Sequence, residues 1–207
     1  MSRFLRPLYA LPALAGVLAA GLILGIMSHM SALTSGQEII VPAQGYDPRD
    51  PLLGHYVMLR PDTDFELDAS AAERARLEFG LKDRYWDSRQ GWAVMEKFGD
   101  RWTPVQISRD RPDLLQTETR VLLYGDMQFR NTEMEKATPG SLTVTPPIDI
   151  DRYYVHADEA KTLEALLRQN TPQDQSRIDI ILSVSDDGTA LLKGIRIDGE
   201  RHTISWW

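Results

Sequence analysis

The sequence predicts an α+β fold: a β-rich, mainly antiparallel extracytoplasmic domain preceded by one transmembrane helix. Three observations carry this prediction. No Asp, Glu, Lys or Arg occurs between Arg6 and Glu38. Beyond Asp47, short runs of β-branched and aromatic residues outnumber helical stretches. Tight turns such as Gly99-Asp100, Asp186-Asp187-Gly188 and Asp198-Gly199 join those runs, and short turns connect antiparallel neighbours. The 207 residues divide into a cytoplasmic tip and anchor over 1–28, a juxtamembrane connector over 29–45 and the extracytoplasmic domain over 46–207.

The anchor runs from Pro7 to Met27, PLYALPALAGVLAAGLILGIM, 21 residues without a charge. A helix of that length covers about 30 Å, the hydrocarbon thickness of a bilayer. A cleaved signal peptide has a shorter apolar stretch and an A-x-A site, which SHMSALTSG does not offer. A retained anchor contacting lipid over residues 7–28 is therefore expected. Arg3 and Arg6 precede the span and no basic residue closely follows it, so the positive-inside rule keeps the amino terminus in the cytoplasm. The expected location is the cell (inner) membrane, single-pass, with the carboxy-terminal domain periplasmic. Gly21 and Gly25 form a G-x-x-x-G pair, a spacing that lets two membrane helices approach and suits a homodimer.

The elements follow in order. IIVPA offers a short first strand within the connector. A proline-rich turn leads into a strand over His55 to Arg60. Asp68 caps a helix, ASAAERARLEF, that ends at Gly80. GWAVMEKF and RWTPVQIS flank Gly99-Asp100 as a hairpin, and Thr119 to Phe129 reads as a strand bulged at Gly125. Asn131 to Pro147 reads as loop. Ile148 to Val155 alternates as a strand, placing Asp149 and Asp151 on one face. A helix is expected from Ala157 to Asn170, with Ala160, Leu163, Leu166 and Leu167 as its apolar stripe. Arg177 to Val184 and Thr189 to Ile197 form a hairpin, and a last strand carries Ile204 and Trp206 on its core face.

Charge and composition exclude several functions. From Glu38 onward there are 30 acidic and 21 basic residues, a net charge of −9. A nucleic-acid-binding domain normally shows a basic face, so no nucleic acid is expected as partner. With no cysteine, disulfides, thiolate metal sites and a cysteine nucleophile are excluded. His29, His55, His156 and His202 show no helical metal-binding spacing, and Asp186-Asp187-Gly188 lacks the ligand pattern of an EF-hand and reads as a plain turn. There is no G-x-S-x-G elbow, no phosphate-binding loop and no dinucleotide fingerprint. No cofactor or metal is expected.

Gly54-His55-Tyr56-Val57-Met58-Leu59-Arg60-Pro61 resembles the motif of the GDYXXLXY family of bacterial membrane-anchored proteins. The resemblance begins at Asp47-Pro48-Arg49-Asp50, returns at Arg152-Tyr153-Tyr154-Val155 and again at Asp187-Gly188-Thr189-Ala190 through Ile197-Asp198-Gly199. His55 stands where the motif has Asp, and Pro61 where it has its last Tyr. The resemblance implies an amino-terminal anchor, a β-rich outer domain and no assigned activity. Family genes often lie beside those of polytopic membrane proteins, which implies such a partner.

The candidate interaction residues are Asp47, Arg49, Asp50, Gly54, His55, Tyr56, Leu59, Arg152, Tyr153 and Tyr154. Arg49 suits a carboxylate or phosphate. The same charges also suit a locked loop, with Asp accepting backbone N–H bonds. Tyr56, Tyr153, Tyr154, Trp86, Trp92 and Trp102 read chiefly as core and rim packing. The leading functional expectation is a non-enzymatic accessory subunit for a polytopic membrane protein. The alternatives are an envelope hydrolase or peptidase using His55 or His156, and a small-ligand or glycan-sensing domain lined by tyrosines and tryptophans.

Overall fold

A computed structural model describes residues 6–46, 56–82, 84–132, 141–150, 152–154 and 178–203. The first element is α1, Arg6–Ser35. Its Ala10–Ser35 segment is long and apolar enough to cross a membrane, and none of its most apolar window is buried against the rest of the protein. Leu11, Leu18, Leu22 and Leu24 stand bare along it. A helix apolar all round and uncovered by protein is the composition of a membrane span.

Helix and strand fill the stretch read as connector. Helix α1 continues through SHMSALTS, and strand β1, Gln37–Tyr46, starts after a single residue, Gly36. Local hydroxyl bonding lets the polar stretch stay helical. Thr34 Oγ1 donates to the Met30 carbonyl at 2.9 Å, and Ser35 Oγ donates to that of Ser31 at 2.7 Å. Ser183 Oγ then donates to the Ala32 carbonyl at 2.8 Å, satisfying one of the orphan acceptors of the helix end. A Cβ at position 36 would run into the Ser183 hydroxyl and the carbonyl oxygens of Ala32 and Val184. Glycine is what lets the helix turn directly into the sheet.

The remaining strands are β2 (Tyr56–Pro61), β3 (Phe65–Leu67), β4 (Trp86–Phe98), β5 (Arg101–Ser108), β6 (Arg120–Asn131), β7 (Leu142–Thr145), β8 (Arg152–Tyr154), β9 (Ile178–Val184), β10 (Ala190–Ile197) and β11 (Glu200–Thr203). They form a six-stranded sheet in the order β11-β10-β9-β1-β2-β8 and a five-stranded sheet in the order β3-β7-β6-β4-β5. Every described pairing is antiparallel. Ile39, Val41, Ile180 and Leu182 of the first sheet share one core with Ala93, Met95, Leu123, Met127 and Phe129 of the second. The predicted β-rich antiparallel architecture with one apolar leading helix is therefore what the chain forms.

Helix α2, Ala69–Phe79, matches its predicted bounds. Asp68 accepts from the Ala71 N–H at 2.8 Å, and Gly80 closes the helix at a φ of 59°. Ala72, Ala75 and Phe79 form its buried stripe, with Phe79 5.0 Å from the Phe129 ring.

Three expectations require correction. No bulge occurs at Gly125, because the β4–β6 ladder runs unbroken through Gly91↔Gly125. At Gly125 the backbone has a φ of 157° and a Cβ would sit 3.0 Å from Pro147 Cβ, and the facing Gly91 is close-packed as well. A Cβ on Gly91 would sit 2.7 Å from Phe79 Cε1 and 2.9 Å from the Ser108 carbonyl. Asn131 to Pro147 is not all loop, since Leu142–Thr145 forms β7 and buries Leu142 and Val144 in the core. The strand expected over Ile148 to Val155 is described only at Arg152–Tyr154. Ile148 is buried, and Ile148, Asp149 and Ile150 lie outside any strand. Asp151, the helix expected over 157–170, and Ile204, Trp206 and Trp207 lie outside the described residues.

A polar cluster ties the first strand after the anchor to the far edge of its sheet. Glu38 on β1 accepts from Arg201 Nη2 on β11 at 2.8 and 2.9 Å, and Lys193 Nζ on β10 lies 3.0 Å away. Partial burial alone would raise the Glu38 carboxyl, but the Arg201 and Lys193 hydrogen bonds and charges outweigh it and hold the group below the usual carboxylate range.

Two outcomes follow for stability. Gly36→Val should destabilise the full chain by about 1–3 kcal/mol, because backbone oxygens cannot move aside, whereas Ser183→Ala should cost about 1 kcal/mol. Denaturant unfolding in detergent micelles measures both. Glu38 has a lower pKa folded than unfolded, so its contribution is full at neutral pH and vanishes as pH falls through the folded value. Glu38→Gln should therefore lose at most about 1 kcal/mol at pH 7, the pair being partly open to water. Its unfolding curve should converge with that of the wild type as pH falls below the ordinary carboxylate range.

Candidate functional site

The motif strand β2 lies between β1 and β8. Its register places Tyr56 opposite Tyr154, Val57 opposite Tyr153 and Met58 opposite Arg152. On its other side Leu59 pairs with Gly45, and Met58 pairs with Tyr46. Residues almost a hundred positions apart in sequence, Tyr56 and Tyr154, thus become strand neighbours. Leu59 is buried in the shared core, so its role is packing. Asp47, Arg49, Asp50, Gly54 and His55 lie outside the described residues.

The other chemistry-bearing residues are scattered. His29 lies in α1 and His202 on β11, while His55 and His156 fall outside the described residues. Among the described residues there is no group of three or more His, Asp or Glu side chains that could hold a metal ion. Asp187 is a turn lock, as its sequence suggests. Its carboxylate accepts from Ser185 Oγ at 2.6 Å and from the Thr189 N–H at 3.0 Å. Those bonds lower its pKa. Asp68 is lowered in the same way by its bonds from the Ala71 N–H and the Ser70 hydroxyl. Both groups stay ionised to hold backbone in place, which is not the behaviour of an acid–base pair.

The outer face of the five-stranded sheet is the most distinctive surface. Side chains alternate along β4 and β6. Ala93, Met95, Leu123, Met127 and Phe129 point to the core, while Trp92, Val94 and Leu122 form a second, smaller apolar cluster on the opposite side. Half of that opposite side is covered. Leu114 packs on the small cluster, and the β9–β10 turn closes against it. The Tyr124 N–H donates to the Gly188 carbonyl at 2.9 Å. Arg111 lies 5.1 Å over the Trp92 ring and donates to the Asp186 carbonyl at 3.1 Å.

The other half is bare. Across it run the facing pairs Trp86↔Arg130, Ser88↔Gln128 and Gln90↔Asp126, and Tyr124, opposite the covered Trp92, stands at its border. Trp86 is 46% exposed and Tyr124 43% exposed, while Ser88, Gln90, Asp126 and Gln128 between them are all exposed. Trp86 is held rather than loose. The Tyr85 ring meets it edge-on at 5.7 Å, and the Arg130 guanidinium lies 5.5 Å from its centroid. Arg130 is in turn 3.7 Å from Asp64, which accepts from Thr145 Oγ1 at 2.6 Å. Of the tryptophans expected in core and rim packing, Trp92 and Trp102 are buried and Trp86 lies at the rim. A signal for this was present in the alternation Trp86-Ser88-Gln90 and Tyr124-Asp126-Gln128, which is polar or aromatic on one side throughout.

No curated protein and no solved structure matches the chain. A family model described as GDYXXLXY protein matches residues 18–195, from within the apolar helix to the penultimate described strand. The motif strand, its Arg152–Tyr154 partner and the Asp187-Gly188 turn all fall within that match, and the chain belongs to the GDYXXLXY family.

Proposed function

We propose that this protein is a single-pass, membrane-anchored accessory subunit whose folded domain lies outside the cytoplasm and docks on a polytopic membrane protein, without catalysis of its own. The observation that carries this reading is the direct junction of an unburied apolar helix with a sheet strand. Gly36 and the Ser183–Ala32 bond leave little slack between anchor and domain. A domain held so closely to its helix is suited to reach a partner in the same membrane rather than one diffusing freely. Arg3 and Arg6 before the span, and an acidic domain after it, support a cytoplasmic amino terminus. Gly21 and Gly25 lie on open helix surface, which leaves room for a helix of the partner or of a second copy.

The lack of cysteine makes the topology directly measurable. Phe98, 60% exposed at the tip of the β4–β5 hairpin, accepts a Phe98→Cys substitution for labelling. A membrane-impermeant maleimide should label this variant in spheroplasts, and the chain should resist carbonate extraction. Labelling that appears only after lysis, or release by carbonate, refutes the topology. Cross-linking in native membranes should recover a polytopic membrane protein, and Gly21→Leu with Gly25→Leu should weaken that capture. A chain that remains uncross-linked where the neighbouring membrane protein is expressed refutes the docking role.

A further inference from the structure

The bare half of the five-stranded sheet has an arrangement opposite to that of a protein-docking patch. Protein interfaces place apolar and aromatic groups at the centre and polar groups at the rim. Here the rings stand at the two ends, Trp86 and Tyr124, and the centre is Ser88, Gln90, Asp126 and Gln128. No aliphatic side chain lies in the described rows between them.

The dimensions and charge of the face are equally informative. Arg130 faces Trp86 across the ladder, and Tyr124 lies six residues further along β6. At a strand rise of about 3.4 Å the two rings are separated by roughly 20 Å. The charges nearly cancel: Arg130 is paired with Asp64, leaving Asp126 on the central rows. A polyanion gains nothing from such a surface, and a cation has no cage. A long, uncharged ligand with flat apolar faces and many hydroxyls fits each feature. Its ring faces stack on the sides of Trp86 and Tyr124 that Arg130 and Trp92 do not cover, and its hydroxyls exchange hydrogen bonds with Gln90, Gln128, Ser88 and Asp126. Because Arg130 and Tyr85 already hold the Trp86 ring, little side-chain freedom is lost on binding.

We propose that this face binds an uncharged, extended glycan chain laid along β4 and β6 from Trp86 to Tyr124. The site is independent of any contact between α1 and a membrane partner.

The test uses the full-length chain in detergent micelles, titrated with chitohexaose, cellohexaose and the corresponding disaccharides while tryptophan fluorescence and calorimetry are followed. At least one hexasaccharide should bind saturably, and its disaccharide should bind at least roughly tenfold more weakly, because only the longer chain reaches both rings. Trp86→Ala should lower hexasaccharide affinity by roughly tenfold or more, since one of the two stacking platforms is gone. Gln90→Ala should weaken binding less, and Leu77→Ala, exposed on α2 away from this face, should leave it unchanged. Near-UV circular dichroism establishes that each variant is folded. Absence of saturable binding by either hexasaccharide overturns the proposal. So does binding that Trp86→Ala leaves intact, or that fails to grow with chain length. A photo-cross-linker at position 86 that traps a protein, with no glycan bound, assigns the face to protein docking instead.

Discussion

Strand β9 is buried along all seven of its residues, on both faces, and the rest of the molecule is arranged to make that burial tolerable. Ile180, Leu182 and Val184 face the shared core. Asp179, Ile181 and Ser183 alternate to the other side and are buried as well. Two of those three are polar, and a buried polar group without a partner is costly. Asp179 is 2% exposed and receives Arg196 Nε at 2.9 Å and Nη2 at 2.7 Å, with Arg101 3.7 Å away. Asp179 raises the Arg196 pKa further above its already high value through this bond, so the guanidinium stays charged. Arg196 also reaches Asp100, at the tip of the β4–β5 hairpin, so the same ion pair that makes Asp179 tolerable joins the two sheets. Ser183 solves its problem by donating to the last turns of α1.

The end of α1 and strand β9 consequently satisfy each other. The strand that needs a partner for Ser183 finds it in the helix end, and the helix end that needs a donor finds it in Ser183. Gly36 permits the approach. Gln37 adds a bond from its side-chain amide to the Thr117 carbonyl at 2.6 Å, tying the start of β1 to the segment that leads into β6. Glu38 then ties β1 to β10 and β11. Within three residues of the helix, the chain is fastened to its own sheet and to the segment before β6.

The two sides of the five-stranded sheet show how one alternating pattern serves two purposes. The core side is continuous and apolar. The outer side is split by the segment over 109–118 and the β9–β10 turn, which shield Trp92 and leave Trp86 and Tyr124 in the open. Burial of Trp92 comes from those covering segments and not from its own strand. Neither aromatic content nor strand periodicity separates Trp92 from Trp86. The difference lies in what crosses above them.

Local physics was legible in the sequence. The charge-free stretch, the Asp68 and Gly80 caps of α2, and the Gly99-Asp100 and Asp198-Gly199 hairpins depend on residues within a few positions of one another. Asp198 and Gly199 adopt φ values of 49° and 92°, the left-handed pair that a two-residue hairpin turn demands. The antiparallel character follows from such turns. What the tertiary structure alone decided was pairing and covering. β1 enters the centre of its sheet because β9, more than a hundred residues later, supplies its ladder. β7 exists because β6 and β3 flank it, although LTVT is too short a run to announce itself among prolines and threonines. Tyr56 falls in register with Tyr154, and Trp86 stays half-exposed, through pairings between distant segments. Periodicity tells which side of a strand a residue takes; only the assembled fold determines whether anything lies against that side.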